Sequence, residues 1–570
     1  MQSNINELLA TAHQWMELDP DNAELLSTEI IAAEDDESWA ITALTARFAG
    51  YLTFGTAGLR APLGPGTTRM NRVVVRRAAA GIADFALQHT TSPVIIIGYD
   101  ARHYSREFAQ DSAAVFTAAG CRVKLMPSTV PTPLLAFTLQ RYEADVGIMV
   151  TASHNPPADN GYKVYLGASC VEPDDAAGAF TQITSPTDQR IAEYIQVWNK
   201  SDTLPALAST GWEFVPESIV NEYVTAVSQF LDELSPTTQR SGLNIVYTPM
   251  HGVGAGVFCQ LMSATGFDTM ALVDQQVDPD PDFPTVAFPN PEEPGALDLA
   301  FSTANSLPET DLVIAHDPDA DRLAVAVPVD GEWHRLSGDH IGLLLGARLM
   351  PYLATNGLVL ANSVVSAPQL AKLAGQAQLK HRVTPTGFKW ICRVDNLGFG
   401  YEEALGYAVA PHLVKDKDGL SAAVVLADLA AELKTAGSDL VAYLRKLSAQ
   451  LGPSMTDQVS VPVPSPAVGA GLLDDLRKNP PLQLAQQSPV VVVDYANPQA
   501  NLAQEYGPMN MIEFSTKGIV NARLMLRPSG TEPKVKCYVS VSAAPGTAFG
   551  TVQAAMDGLR EEAANLVKLV

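Results

Sequence analysis

Ser153 and His154 stand side by side in Thr151-Ala152-Ser153-His154-Asn155-Pro156, a stretch with little room for regular structure. Asn155-Pro156, Pro156-Pro157 and Asn160-Gly161 are strong turn signals, so Ser153 is expected on an exposed loop. The apolar run Val146-Gly147-Ile148-Met149-Val150 just before it reads as a buried strand that holds the loop rigidly. A serine so placed is a nucleophile, a phosphate carrier or a bystander, and the rest of the chain must decide.

Asp317, Asp319 and Asp321 follow the apolar Leu312-Val313-Ile314-Ala315. Extended backbone would send alternate residues to one side, so three carboxylates are expected to converge at a strand end. Like charges that close repel unless a cation joins them, and hard oxygen ligands favour Mg2+ or Ca2+. An EF-hand is excluded, because Arg322 and Pro328 stand where that loop needs its glycine and glutamate.

Arg527-Pro528-Ser529-Gly530-Thr531-Glu532-Pro533-Lys534 gathers two cations, two hydroxyls and a glycine into one turn, a donor set suited to a phosphate monoester. Glu402 and Glu403 follow Gly398-Phe399-Gly400, and acids beside a flexible glycine turn accept hydrogen bonds from vicinal sugar hydroxyls; a solvated helix start fits equally well. Lys389 in Thr386-Gly387-Phe388-Lys389-Trp390 and Arg60 in Phe54-Gly55-Thr56-Ala57-Gly58-Leu59-Arg60 each place a cation beside glycine, facing a phosphate or in an ordinary loop. Lys415-Asp416-Lys417-Asp418-Gly419 reads as a charged surface turn, and His251 as a structural turn histidine.

The elements that position these residues are α/β in kind. Strand-like Val94–Gly98, Leu243–Tyr247 and Gly357–Ala361 each run through a turn into a helix, which suggests three related α/β units. Residues 1–50 read as a helical extension packed on the adjoining part of the chain. The expected domains are 51–210 with the serine loop, 211–328 with the acidic loop, 329–452 with the Glu402 loop, and 453–570. The last is a smaller α+β unit, and Val461-Pro462-Val463-Pro464-Ser465-Pro466 is read as a boundary before it.

With 570 residues, 47% hydrophobic and 17% charged, the chain is long enough for several folded cores. A formal charge of -25 argues against nucleic acid or an anionic membrane as partner. The five cysteines show neither zinc spacing nor a disulfide framework, which fits a reduced, cytoplasmic setting. No apolar run is long enough to span a membrane, and Met1 onward carries no signal-peptide pattern.

The Ser153, Asp317, Glu402 and Arg527 motifs, in that order, resemble the α-D-phosphohexomutase superfamily. Phe54–Arg60 and the Glu-Glu-Ala form of the third motif resemble its phosphoglucomutase/phosphomannomutase branch, which includes phosphopentomutase-like members. The resemblance runs from about Phe54 to the C-terminus. It implies three related α/β domains plus a C-terminal α+β, helix-on-sheet domain around a central cleft.

It further implies an isomerase that interconverts sugar 1-phosphate and 6-phosphate, glucose or mannose, through phosphoserine. Ser153 would carry the phosphoryl group, with His154, Arg322, Lys389 and Arg60 in the catalytic set. Asp317, Asp319 and Asp321 would hold one Mg2+ per chain, the site completed by Ser153 through its phosphate. Glu402, Glu403 and Lys163 would contact substrate, and Arg527, Ser529, Gly530, Thr531 and Lys534 would clamp the phosphate that does not react. The partners implied are a small-molecule sugar phosphate and a sugar 1,6-bisphosphate as intermediate and activator, on a monomer or homodimer. Ala404 replaces a serine that many members carry, so a pentose phosphate stays open as substrate.

Two other readings compete. A strand ending in D-x-D also opens the haloacid-dehalogenase phosphatases, with Asp317 as nucleophile, although Asp321 stands where they usually carry Thr or Val. A sugar-phosphate sensor on a dead mutase would keep the fold without the complete set of groups found here. A serine hydrolase lacks its Gly-x-Ser-x-Gly.

Overall fold

The computed structural model describes residues 2–55, 58–528 and 534–568. It divides into two compact bodies, one of Met1–Arg335 with Gly406–Ala431, the other of Leu336–Leu405 with Glu432–Val570.

One strand order recurs. In the first body, Val94–Tyr99 lies between Arg122–Leu125 and Val146–Val150, both parallel to it, and Asp159–Leu166 runs antiparallel beside Val146–Val150. The second sheet repeats this, with Ile245–Thr248 between Met270–Leu272 and Leu312–Ala315 and Ala324–Val329 antiparallel beyond. In the second body Val359–Ser363 lies between the parallel strands His381–Thr384 and Leu397–Glu402. Right-handed crossovers from parallel strands need helices, and helices such as Ser105–Ala118 and Ala255–Ala264 supply them. The inner parallel strands Val146–Val150 and Leu312–Ala315 are apolar and fully buried because both faces are covered, whereas Arg122–Leu125 and His381–Thr384, towards the sheet edges, carry polar, partly exposed residues.

This order sets where chemistry sits. Ser153, the aspartate triad and Glu402–Glu403 each lie at the carboxyl end of the third strand of their sheet, where the chain turns to leave the parallel run. Open α/β sheets bind ligands at such ends.

The N-terminal helices Gln2–Leu18, Ala23–Glu34 and Ser38–Arg47 share a core with the first sheet: Trp15, Leu26, Ile30 and Leu44 pack in one cluster with Val75, Ile95 and Phe108. Arg47 ties them down by pairing with Glu29 at 2.7 Å and donating to the carbonyl of Pro65 at 3.3 Å.

The C-terminal sheet is antiparallel, in the order Ser454–Pro462, Lys534–Ala543, Val520–Pro528, Ile512–Thr516 and Val491–Asp494, and the helix Phe549–Lys568 covers it. Val461-Pro462 is therefore inside this unit and not a boundary before it. Pro462 ends an edge strand, opposite Lys534, where its missing N–H costs no ladder bond. Gly398 and Gly400 are likewise not in a flexible turn. They lie in the strand Leu397–Glu402, where added Cβ atoms would come within 2.3 Å of Leu353 and 2.2 Å of Ile391.

All five cysteines are free thiols. Among the described residues no helix is long and apolar enough to cross a membrane.

Candidate active site

Ser153 sits on the turn between Val146–Val150 and Asp159–Leu166, as expected, but it is buried, with 4% of its surface exposed. The turn signals locate the loop correctly. They carry no information about what covers it, and the cover comes from the second sheet. Ser153 Oγ donates to Asp317 Oδ2 at 2.9 Å, across 164 positions of sequence. The Ser153 amide donates to Thr151 Oγ1 at 2.9 Å, and its φ of 52° is left-handed, a conformation that a serine holds only when its surroundings impose it.

His154 Nδ1 lies 3.3 Å from the same hydroxyl. Burial, then the positive charges of Arg322 and Arg60, push its imidazole well below the usual histidine range, so it is neutral at pH 7. Arg60, on the strand Leu59–Pro62, reaches this loop by donating to Asn155 Oδ1 at 3.0 Å.

Asp317, Asp319 and Asp321 are all buried, with candidate ligand oxygens within 4.8 Å of one another. Their convergence is not that of extended backbone. The strand stops at Ala315, and a turn closed by the Ala320 amide donating to the Asp317 carbonyl at 2.8 Å brings them together, with Ala320 at φ 53°.

Lys163 Nζ takes Oδ2 of Asp319 at 2.6 Å and Oδ2 of Asp321 at 2.8 Å. Thr132 Oγ1 also donates to Asp319 Oδ2, at 2.6 Å. The ammonium expected at the substrate is thus placed on the triad. Oδ1 of Asp319 and Oδ1 of Asp321 are buried with no hydrogen-bond partner. Orphaned carboxylate oxygens are costly unless a cation meets them, so the donor set fits a hard divalent metal.

The electrostatics agree. Burial, then the charges of Asp319 and Asp321, push Asp317 well above the ordinary carboxylate range. Burial would raise Asp319 too, but the charge and hydrogen bond of Lys163 outweigh it and hold that group low. Arg322 donates its amide to Asp317 Oδ1 at 3.1 Å, has its Nε 4.0 Å from Asp317 Oδ2, and reaches Glu292 at 3.4 Å.

Lys417 is a site residue that sequence reasoning missed. Its segment, expected as a surface turn, is built into the first body: Lys417 Nζ lies 3.1 Å from Asp321 Oδ2. Asp416 accepts from Tyr165 at 2.6 Å, and Asp418 accepts from Tyr223 at 2.9 Å. Asp418 Oδ1 also takes the amides of Leu420 and Ser421, both at 3.1 Å, where the helix Gly419–Thr435 begins. A Cβ on Gly419 would meet the Arg322 carbonyl at 2.3 Å, so this approach requires glycine. The available signal was an acid and a glycine before a long apolar helix, a helix start more than a solvated turn.

In the second body Glu402 Oε1 accepts the amide of Gly387 at 2.5 Å, and Arg527 Nη1 donates to Thr386 Oγ1 at 2.5 Å. Glu402, Arg527 and the turn bearing Lys389 are thereby brought together. Lys389 sits in the short helix Phe388–Ile391 with Nζ 5.9 Å from the ring centre of Trp390. Glu403 Oε2 accepts from Ser363 at 2.9 Å and Ser366 at 3.1 Å; burial, then the charges of Glu402 and Asp339, push its carboxyl up to about 7. Arg527 and Lys534 flank the connection of the hairpin Val520–Pro528 and Lys534–Ala543. Ser529, Gly530 and Thr531, like Thr56 and Ala57, lie outside the described residues.

Residues 51–190, 221–331 and 337–447 match, in order, the phosphoglucomutase/phosphomannomutase alpha/beta/alpha domains I, II and III. A Haemophilus influenzae protein named "Probable phosphomannomutase" is 40% identical over 471 residues, covering 82% of this chain and 92% of that one. A Saccharomyces cerevisiae protein named phosphoribomutase is 34% identical over 551 residues, covering 87% of each chain. Among solved structures, a phosphoglucomutase/phosphomannomutase family protein from Burkholderia thailandensis shares the fold with a TM-score of 0.66 at 19% identity, over 90% of this chain and 97% of that one. The chain belongs to the phosphoglucomutase/phosphomannomutase family.

Proposed function

We propose that this protein is a sugar-phosphate mutase that exchanges a phosphoryl group between Ser153 and the 1- and 6-positions of a hexose phosphate, glucose or mannose. The observation that carries this reading is the 2.9 Å contact of Ser153 Oγ with Asp317, beside two buried carboxylate oxygens that no protein group satisfies. A hydroxyl held on a cation site suits phosphoryl transfer, which depends on positioning and charge neutralisation.

Asp317, Asp319 and Asp321 would hold Mg2+, which supplies positive charge to the oxygens of the transferring group. Lys163 and Lys417 orient Asp319 and Asp321. Arg322 brings a guanidinium to the same place, where fixed charge favours the transition state. His154, kept neutral, accepts a proton from the Ser153 hydroxyl or from the sugar. Glu402 and Glu403 are assigned to sugar hydroxyls, and Arg527 and Lys534 to the phosphate that does not react. A sugar 1,6-bisphosphate primes Ser153 and is the intermediate of each turnover. A haloacid-dehalogenase mechanism is set aside by the family match.

A second reading keeps this chemistry on a pentose phosphate. Ala404 removes a hydroxyl from the sugar loop, and a relative of 34% identity is named phosphoribomutase. Turnover of glucose 1-phosphate, mannose 1-phosphate and ribose 1-phosphate by the wild type and Ser153→Ala tests both. The serine variant is expected to lose turnover of every substrate while still binding them; full activity without the hydroxyl would end the phosphoserine assignment.

A further inference from the structure

Arg102 belongs to none of the motifs that form the site, lies just past the strand Val94–Tyr99, and is 4% exposed. Its Nη2 donates to the carbonyls of Ser153 at 2.5 Å and Asn155 at 2.6 Å. Its Nη1 donates to the carbonyls of Pro156 at 2.8 Å and Asp159 at 3.1 Å. Asp100 Oδ2 balances the charge 3.5 Å from Nε, and the guanidinium carbon lies 4.9 Å from the ring centre of Phe283, itself 2% exposed. Phe283 belongs to the second matched family domain and Arg102 to the first, both within the first body.

The arrangement solves a problem set by the sequence. The turn is partly buried, Ser153 most of all, and its adjacent prolines donate no backbone N–H; buried carbonyls left unpaired are costly. A guanidinium offers five donors in a fixed plane, whereas an ammonium offers three from one point. An aromatic face against a desolvated guanidinium fixes that plane. The left-handed φ of 52° at Ser153 persists only while its surroundings hold it.

We propose that Arg102 and Phe283 are positioning residues for phosphoryl transfer. Arg102 fixes the backbone from Ser153 to Asp159, and Phe283 fixes Arg102, so the serine hydroxyl stays on the triad. Neither residue contacts the sugar phosphate. The inference rests on the mutase reading above.

The test compares the full-length wild type, Arg102→Lys, Phe283→Leu and Phe283→Tyr with Mg2+, the matching sugar bisphosphate, and glucose 1-phosphate or ribose 1-phosphate. Turnover is counted per folded molecule by circular dichroism. Arg102→Lys is expected to lower kcat about 100-fold with KM within about twofold, because a misplaced nucleophile is lost to chemistry and not to binding. Phe283→Leu should lower kcat about tenfold, and Phe283→Tyr, which keeps the ring face, should stay within about twofold of wild type. Should Arg102→Lys fail to fold, the two Phe283 variants decide alone. A Phe283→Leu kcat at the wild-type level, or a raised KM at unchanged kcat in any variant, overturns the positioning role. A wild type that turns over neither of these substrates nor mannose 1-phosphate removes the mutase reading itself, and the proposal with it.

Discussion

Lys163 Nζ sits 2.6 Å from Asp319 Oδ2, and the other oxygen of that carboxylate is buried without a hydrogen-bond partner. The same ammonium takes Asp321 Oδ2 at 2.8 Å and leaves Oδ1 of that residue in the same condition. One lysine thus neutralises part of the charge and leaves one buried oxygen on each acid without a hydrogen-bond partner. Lys163→Met leaves two buried carboxylates without this partner, which costs about 3–5 kcal/mol. Chemical denaturation in EDTA is expected to show that loss, and saturating Mg2+ to recover part of it. Equal stability of variant and wild type in EDTA would mean that the ion pair does not hold the triad.

A cation bound only by the folded state raises stability by mass action, about 2.7 kcal/mol at a concentration 100 times Kd. The melting temperature of the wild type should therefore rise with Mg2+, and activity lost to EDTA should return on adding it. Asp319→Asn should weaken both responses. An undiminished thermal shift in that variant would move the metal elsewhere.

How much of this is legible in the sequence depends on how local each signal is. The Ser153 loop and the aspartate run can be located because turn residues and an apolar strand are neighbours in sequence. What buries Ser153 cannot be read, since Asp317 comes from another sheet. Lys417 escapes for the same reason: alternating charges look solvated until Tyr165, Tyr223 and Asp321 surround them from far along the chain. The strand at Gly398 and Gly400 is hidden because glycine reads as a turn, while here it makes room for Leu353 and Ile391. The repeated strand order is suggested by three strand-turn-helix passages, but its register needs pairing partners that no single sequence shows.

Glu403 gives the second body a pH signature. Between 4.5, its ordinary value, and about 7, the folded protein keeps a proton that the unfolded chain releases. Stability from this group is therefore fully present at low pH and falls as pH rises through that window. Denaturation midpoints from pH 4.5 to 8 should show this decline, and Glu403→Gln should flatten it. A wild-type profile that climbs with pH in the same way as the variant's would contradict a raised carboxyl.

Ala404 should govern the choice of sugar. Ala404→Ser restores a hydroxyl worth about 0.5–1.5 kcal/mol if it bonds the sugar, a change of up to about tenfold in kcat/KM. The expected shift favours glucose 1-phosphate over ribose 1-phosphate. An unchanged ratio would place specificity outside this turn.

Every role proposed for this site depends on Ser153 as the carrier of the phosphoryl group. Tandem mass spectrometry of the protein after exposure to glucose 1,6-bisphosphate and Mg2+ reads this directly. One phosphoryl group on Ser153, lost on adding excess sugar monophosphate and absent in Ser153→Ala, is the predicted result. Phosphate on Asp317, or none on the protein while turnover proceeds, would contradict it.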